Sequence, residues 1–175
     1  FSEVTTLDPN RQLDALSSFW LGHIFEGLTT YNAKGEIVPA AAHKIELSKD
    51  KKVYTFHLRT EAVWHDGRQL SAQDFVASFQ RLVSPAYASE YSFIAETAAI
   101  KNAKDLVAGK APISSLGVKA ENNETLVIEL ERPVPYFLSL MALNTFFPIR
   151  SDLVEKHKDQ FGIAKESVIG NGPFE

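Results

Sequence analysis

The 175-residue chain contains no cysteine. That absence excludes disulfides, thiolate nucleophiles and cysteine-rich zinc sites together. No apolar run approaches the roughly 20 residues that a helix needs to span a bilayer. Basic clusters are missing as well. Eighteen Lys and Arg stand against 22 Asp and Glu, and the formal charge of −4 argues against a nucleic-acid partner. The five histidines form no H-E-x-x-H or other ligand spacing. No G-x-S-x-G elbow occurs. Gly170-Asn171-Gly172 lacks the third glycine of a dinucleotide loop, and Pro173 removes an amide just where a phosphate would need one. No nucleophile, base and orienter come together, so the chain is read as a non-enzyme without cofactor or metal. A small hydrolase with a Ser or His site, and a pure interaction module with an exposed apolar patch, are the readings from other classes.

What is present is ordinary globular material: 45% apolar and 23% charged residues, enough for one good core or one domain with part of another. The densest signal runs from Val53 to Val83. Tyr54, Phe56 and Leu58 share one face of a strand. Asp66-Gly67 supplies a tight turn. Ser71 caps a helix with Asp74 as the acid of a capping box, and Phe75, Phe79, Leu82 and Val83 form its apolar stripe. Trp64 joins these aromatics as core rather than as a stacking platform, and Asp66 with Asp74 is read as a turn and a cap.

Elsewhere, Asp8-Pro9-Asn10 reads as a turn, Ala15 to Thr29 as a helix and Asn32 to Gly35 as a turn. Lys44 to Ser48 and Val53 to Arg59 form a hairpin, with His43 in the loop before it. Pro85 to Ser92 is a loop with two tyrosines, and Ile100 to Ala108 is a short helix closed by Gly109. Val118 to Ala120 and Thr125 to Leu130 form a second hairpin across Asn122-Asn123, burying Leu126, Ile128 and Leu130. Phe137 to Met141 is a short helix, and Ser151 caps a last one reaching about Gln160. The fold class is α+β, a mostly antiparallel sheet of two hairpins with interspersed helices.

The wording of these segments resembles the peptide-binding proteins of ABC importers, nearest to the oligopeptide and murein-tripeptide binders. The carrying residues are Leu7-Asp8-Pro9, Phe25-Glu26-Gly27-Leu28, Pro39-Ala40-Ala41-Ala42, the run Tyr54 to Arg59, Trp64 with Asp66-Gly67, Ser71 to Phe75, Leu116 to Ala120, Thr125 to Leu130, Pro133 to Phe137 and Gly170 to Phe174. The resemblance implies the small lobe of a type II-like binding protein over residues 26–167. Residues 1–25 and 168–175 would then be pieces of the adjoining lobe. With Phe1 and Glu175 as its ends, the chain is expected to be an N-terminal fragment of a protein about three times longer.

Two loop tyrosines, Tyr87 and Tyr91, sit outside any periodicity, and each offers a flat apolar face with a hydroxyl. In the family a loop reading A-S-x-Y carries a tyrosine of the peptide cleft, and Ala88-Ser89-Glu90-Tyr91 matches it. The resemblance likewise makes Leu13, Asp14 and Ala15 the extended backbone that pairs with a peptide main chain. Some close family members carry an acidic residue at the place of Leu13, which leucine cannot replace. The resemblance thus implies an exported binder that captures short peptides for a permease of an ABC importer. It would be monomeric and periplasmic, or lipid-anchored on the outer face of the membrane. Murein peptide, heme, nickel chelate and antimicrobial peptide are the alternative cargoes on the same fold.

Overall fold

The computed structural model describes residues 3–174. Its elements in chain order are α1 (Ala15–Ile24), β1 (Thr29–Tyr31), β2 (Ile37–Pro39), β3 (Ala42–Leu47), β4 (Val53–Leu58), α2 (Ala72–Val83), α3 (Ser92–Thr97), α4 (Ala103–Val107), β5 (Val118–Ala120), β6 (Thr125–Glu129), α5 (Phe137–Leu140) and α6 (Ser151–His157). The two expected hairpins join edge to edge. Strand order is β3-β4-β6-β5 and every pairing is antiparallel, so the α+β reading holds.

The register explains the core. Tyr54 stands opposite Ile128 and Phe56 opposite Leu126, so their side chains share one face of the sheet. All four are buried, with Leu58 beside them. Helix α2 lies against this layer through Phe75, Phe79, Leu82 and Val83, all buried. Phe79 stacks on Phe146 at 4.9 Å, and Tyr54 meets Phe137 at 4.4 Å. The start of α2 is fixed as read: the Ser71 amide donates to Asp74 Oδ2 at 2.9 Å. The indole Nε1 of buried Trp64 donates to the same oxygen at 3.2 Å. Arg68 adds an ion pair to Asp74. The acid thus binds the Asp66-Gly67 turn to the helix.

Several boundaries differ from expectation. Helix α1 stops at Ile24, five residues short of Thr29. Its last carbonyls are taken by the returning chain: Gly172 N donates to Ile24 O at 2.8 Å and Phe174 N to His23 O at 3.3 Å. Phe25 then turns extended, with φ −117° and ψ 157°. The turn at 32–35 holds a small hairpin, β1–β2, which the sequence reading lacked. His43 lies in β3, at the irregularity between Ala42 and Lys44, and not in a loop. Ile100 bridges Leu130 instead of starting a helix, so only Ala103–Val107 is helical there. Ser151 is the first residue of α6 and not its cap; Arg150 takes the cap position through backbone alone. The helix ends at His157, where Lys158 adopts φ +49°, and a 3₁₀ turn follows.

Gly170-Asn171-Gly172 proves to be a clasp on the end of α1 and the residues after it. A Cβ on Gly170 would sit 2.1 Å from Ile24 O, so only glycine permits this approach. Asn171 accepts from Glu26 N at 3.1 Å and donates to Glu26 O at 3.0 Å. His65 donates through its amide to Gly170 O at 2.9 Å and through Nε2 to Gly172 O at 2.8 Å.

Candidate ligand cleft

The segment before α1 is placed by a buried polar knot. Asp8 and Asn10 are almost fully buried. Arg81, on α2, grips both Asp8 oxygens at 2.7 Å and Asn10 Oδ1 at 3.1 Å. Tyr87 donates its hydroxyl to Asp8 Oδ2 at 2.7 Å, while its ring lies 3.7 Å from the Arg81 guanidinium. Burial and the Asp8 charge push the Tyr87 phenol far above its ordinary range, so it stays a neutral donor. Asn10 Nδ2 reaches Ser78 Oγ at 3.1 Å and Thr145 O at 3.0 Å. Ser89 completes the knot: its hydroxyl donates to Asn10 O at 2.7 Å and accepts from Tyr91 N at 3.3 Å.

Through Ser89 the knot holds the tyrosine loop against the N-terminal segment. Leu13, Asp14, Ala15 and Tyr91 consequently line one hollow of about 340 Å³, together with Gln12, Ser18, Ile94 and residues 142–145. Leu13, 55% exposed, also lines an adjoining hollow of about 250 Å³ with Tyr87 and Glu90. Tyr87 thus borders the site, but its hydroxyl is committed to Asp8. A larger hollow, about 640 Å³, is lined by Val4, Leu7, Ile24, His65, Ile163 and Ile169 among others, and contains none of the four expected residues.

The hollow of Leu13 and Tyr91 presents backbone as well as side chains. Asp14 is extended, with φ −115° and ψ 153°, and caps α1. Its Oδ1 accepts from Ser17 N at 2.7 Å, and its Oδ2 from Ser17 Oγ at 2.6 Å and Thr5 Oγ1 at 2.5 Å. These donors hold the carboxyl down at about 2, so it is ionised and occupied by its own helix. Among the described residues, neither the amide nor the carbonyl of Leu13 has a hydrogen-bond partner. Asn144 is fixed from below, donating to Ser18 O and Oγ at 2.8 Å. Thr145 Oγ1 is buried without a partner among the described residues.

Reading by sequence missed Ile94, Asn144 and Thr145. They enter the hollow from α3 and from the stretch after α5, more than 75 residues beyond Leu13. No local pattern marks them.

The comparisons with known proteins bear on the whole chain. Residues 36–175 match the family of bacterial extracellular solute-binding proteins, family 5, middle part. The probable deoxycholate-binding periplasmic protein YgiS of Escherichia coli is 39% identical over 99% of this chain and 32% of its own. The structure of the Escherichia coli murein tripeptide binding protein MppA is 40% identical and superposes with a TM-score of 0.92, covering 98% of this chain and 33% of that one. Listeria monocytogenes OppA bound to peptide is 34% identical with a TM-score of 0.95, covering 99% and 34%. The chain therefore spans about a third of the length of these relatives. Similarity this even, from one end to the other, places the chain among the bacterial extracellular solute-binding proteins of family 5.

Proposed function

We propose that the protein captures short peptides outside the cytoplasm and delivers them to the permease of an ABC importer, with no chemical step. The observation that carries this is the backbone of Leu13, unpaired among the described residues and presented beside extended Asp14 in the hollow that Tyr91 also lines. Such an edge accepts a peptide main chain as an added strand, and Leu13, Asp14, Ala15 and Tyr91 are the residues assigned to contact it. Affinity then comes from backbone bonds of about 1 kcal/mol each, and a micromolar complex needs about 8 kcal/mol after the costs of association. These four residues supply only part of that. A second wall closing over the ligand, for which the relatives' longer chains have room, supplies the rest.

In this reading residues 26–167 form the small lobe, and residues 1–25 and 168–175 belong to the adjoining one. The clasp of Glu26 with Asn171 falls at the boundary so drawn and supports it. The protein works in the periplasm as a monomer. The 34% identical relative solved bound to peptide supports the cargo class.

Native mass spectrometry of the protein purified from its own cells tests the reading. A co-purified ladder of short peptides is expected. A single non-peptidic ligand, such as a bile acid, heme or nickel chelate, would overturn it. Tyr91→Ala should weaken peptide binding by about tenfold, a change of about 1.4 kcal/mol, with little change in thermal midpoint.

A further inference from the structure

We infer that the hollow shared by Leu13 and Tyr91 selects an uncharged, apolar ligand side chain and rejects an acidic one. The inference rests on the peptide reading and narrows it. Leu13, Tyr91, Ile94, Ala142 and Leu143 form the apolar part of the lining, beside the polar Gln12, Asp14, Ser18, Asn144 and Thr145, and Leu13 and Leu143 are large side chains left 55% and 38% exposed. An aliphatic ligand side chain covers them and releases their water. Among the described residues that line the hollow there is no Lys, Arg or His. An acidic side chain would therefore lose water without gaining a cation from these residues.

The remaining charge is Asp14, and its position ranks the other options. It repels an anion. Toward a cation it offers little, because three donors already occupy its oxygens and the N-terminus of α1 offsets its charge. Of the neutral polar groups, Asn144 Nδ2 is already bound to Ser18 O and Oγ. A lysine side chain would thus be desolvated for one partly satisfied carboxylate. The expected order is leucine, then lysine, then glutamate.

The test is calorimetry on the protein expressed from its own gene, with trialanine hosts carrying Leu, Lys or Glu at one position at a time. At one position or more, Leu should bind about tenfold tighter than Lys, with Glu weakest, the size expected for burying much of one aliphatic side chain. Leu13→Glu places an acid on an exposed site, so the fold is kept, and it should move the preference at that position toward Lys. If no position shows the order, or if Leu13→Glu leaves it unchanged, the inference is overturned. If no trialanine peptide binds at all, the peptide reading falls and the preference falls with it, so the two failures are told apart.

Discussion

Between β4 and α2 the molecule is held by apolar surface. Phe56, Phe75 and Phe79 are buried with Leu126, Ile128 and Phe146, and the polar contacts that fix the start of α2 gather on Asp74, from Ser71, Trp64 and Arg68. Between Asp8 and Tyr91 it is held by polar groups. One guanidinium, one carboxylate, an asparagine, a tyrosine and a serine satisfy one another around Asn10. The first region contributes free energy in proportion to area and tolerates small shifts. The second contributes little net energy but fixes angles, because each bond fails if its partner moves by an ångström. The hollow lined by Leu13 to Ala15 and Tyr91 is attached to the second region, which suits the proposed role of holding that backbone in one extended conformation.

The sharpest way to break this contrast is to truncate the apolar side. Phe79→Ala removes a ring stacked on Phe146 and should cost about 3–5 kcal/mol. Urea unfolding reads the loss as a lower midpoint at unchanged slope, and an unchanged midpoint would mean that Phe79 is not core. No second substitution should restore it fully, since the surrounding side chains cannot collapse onto so large a void.

The polar knot should behave otherwise. Asp8→Ala leaves the Arg81 side chain, only 13% exposed, without its carboxylate and should cost about 3 kcal/mol. Asp8→Leu combined with Arg81→Met should recover most of that, because an apolar pair has no desolvation penalty to offset. The double variant should nevertheless bind peptide worse than the parent, since residues 12–15 lose their anchor. A double variant as unstable as Asp8→Ala would mean that the knot contributes through packing like the core, and the contrast would collapse.

The same contrast explains what could be read from the sequence. The sheet and α2 follow from period-two and 3.6-residue patterns, because apolar burial repeats along an element. Tyr54, Phe56, Leu126 and Ile128 were legible on that ground alone. The knot has no period. Asp8-Pro9-Asn10 read only as a turn, and nothing local ties it to an arginine 73 residues away or to Ser89. Leu13, Asp14, Ala15 and Tyr91 came from family resemblance, and geometry then placed them in one hollow. Helix α1 ended early for a related reason: its carbonyls are claimed by Gly172 and Phe174, some 150 residues on.

Smaller changes sharpen the picture at single bonds. Ser89→Ala removes the bond to Asn10 O and should cost about 1 kcal/mol, as one buried hydrogen bond does. Amide exchange at Tyr91 should quicken, since its N–H loses the Ser89 hydroxyl. Unchanged exchange would mean that Tyr91 is positioned by α3 rather than by the knot.

The smallest expected effect has the opposite sign. Thr145 carries the carbonyl that Asn10 Nδ2 uses, but its hydroxyl is buried without a protein partner among the described residues. Thr145→Val keeps the β-branched shape and the backbone bond while removing a polar atom that gains nothing from burial. An unsatisfied buried hydroxyl costs about 1 kcal/mol or more, so the variant should be neutral or stabilised by up to about that amount. For a chain of this size that is a rise of about 2–4 °C in the thermal midpoint. A fall of similar size would show that the hydroxyl has a partner, such as an ordered water beneath the hollow, and that the polar network extends one residue further toward the hollow than its direct bonds show.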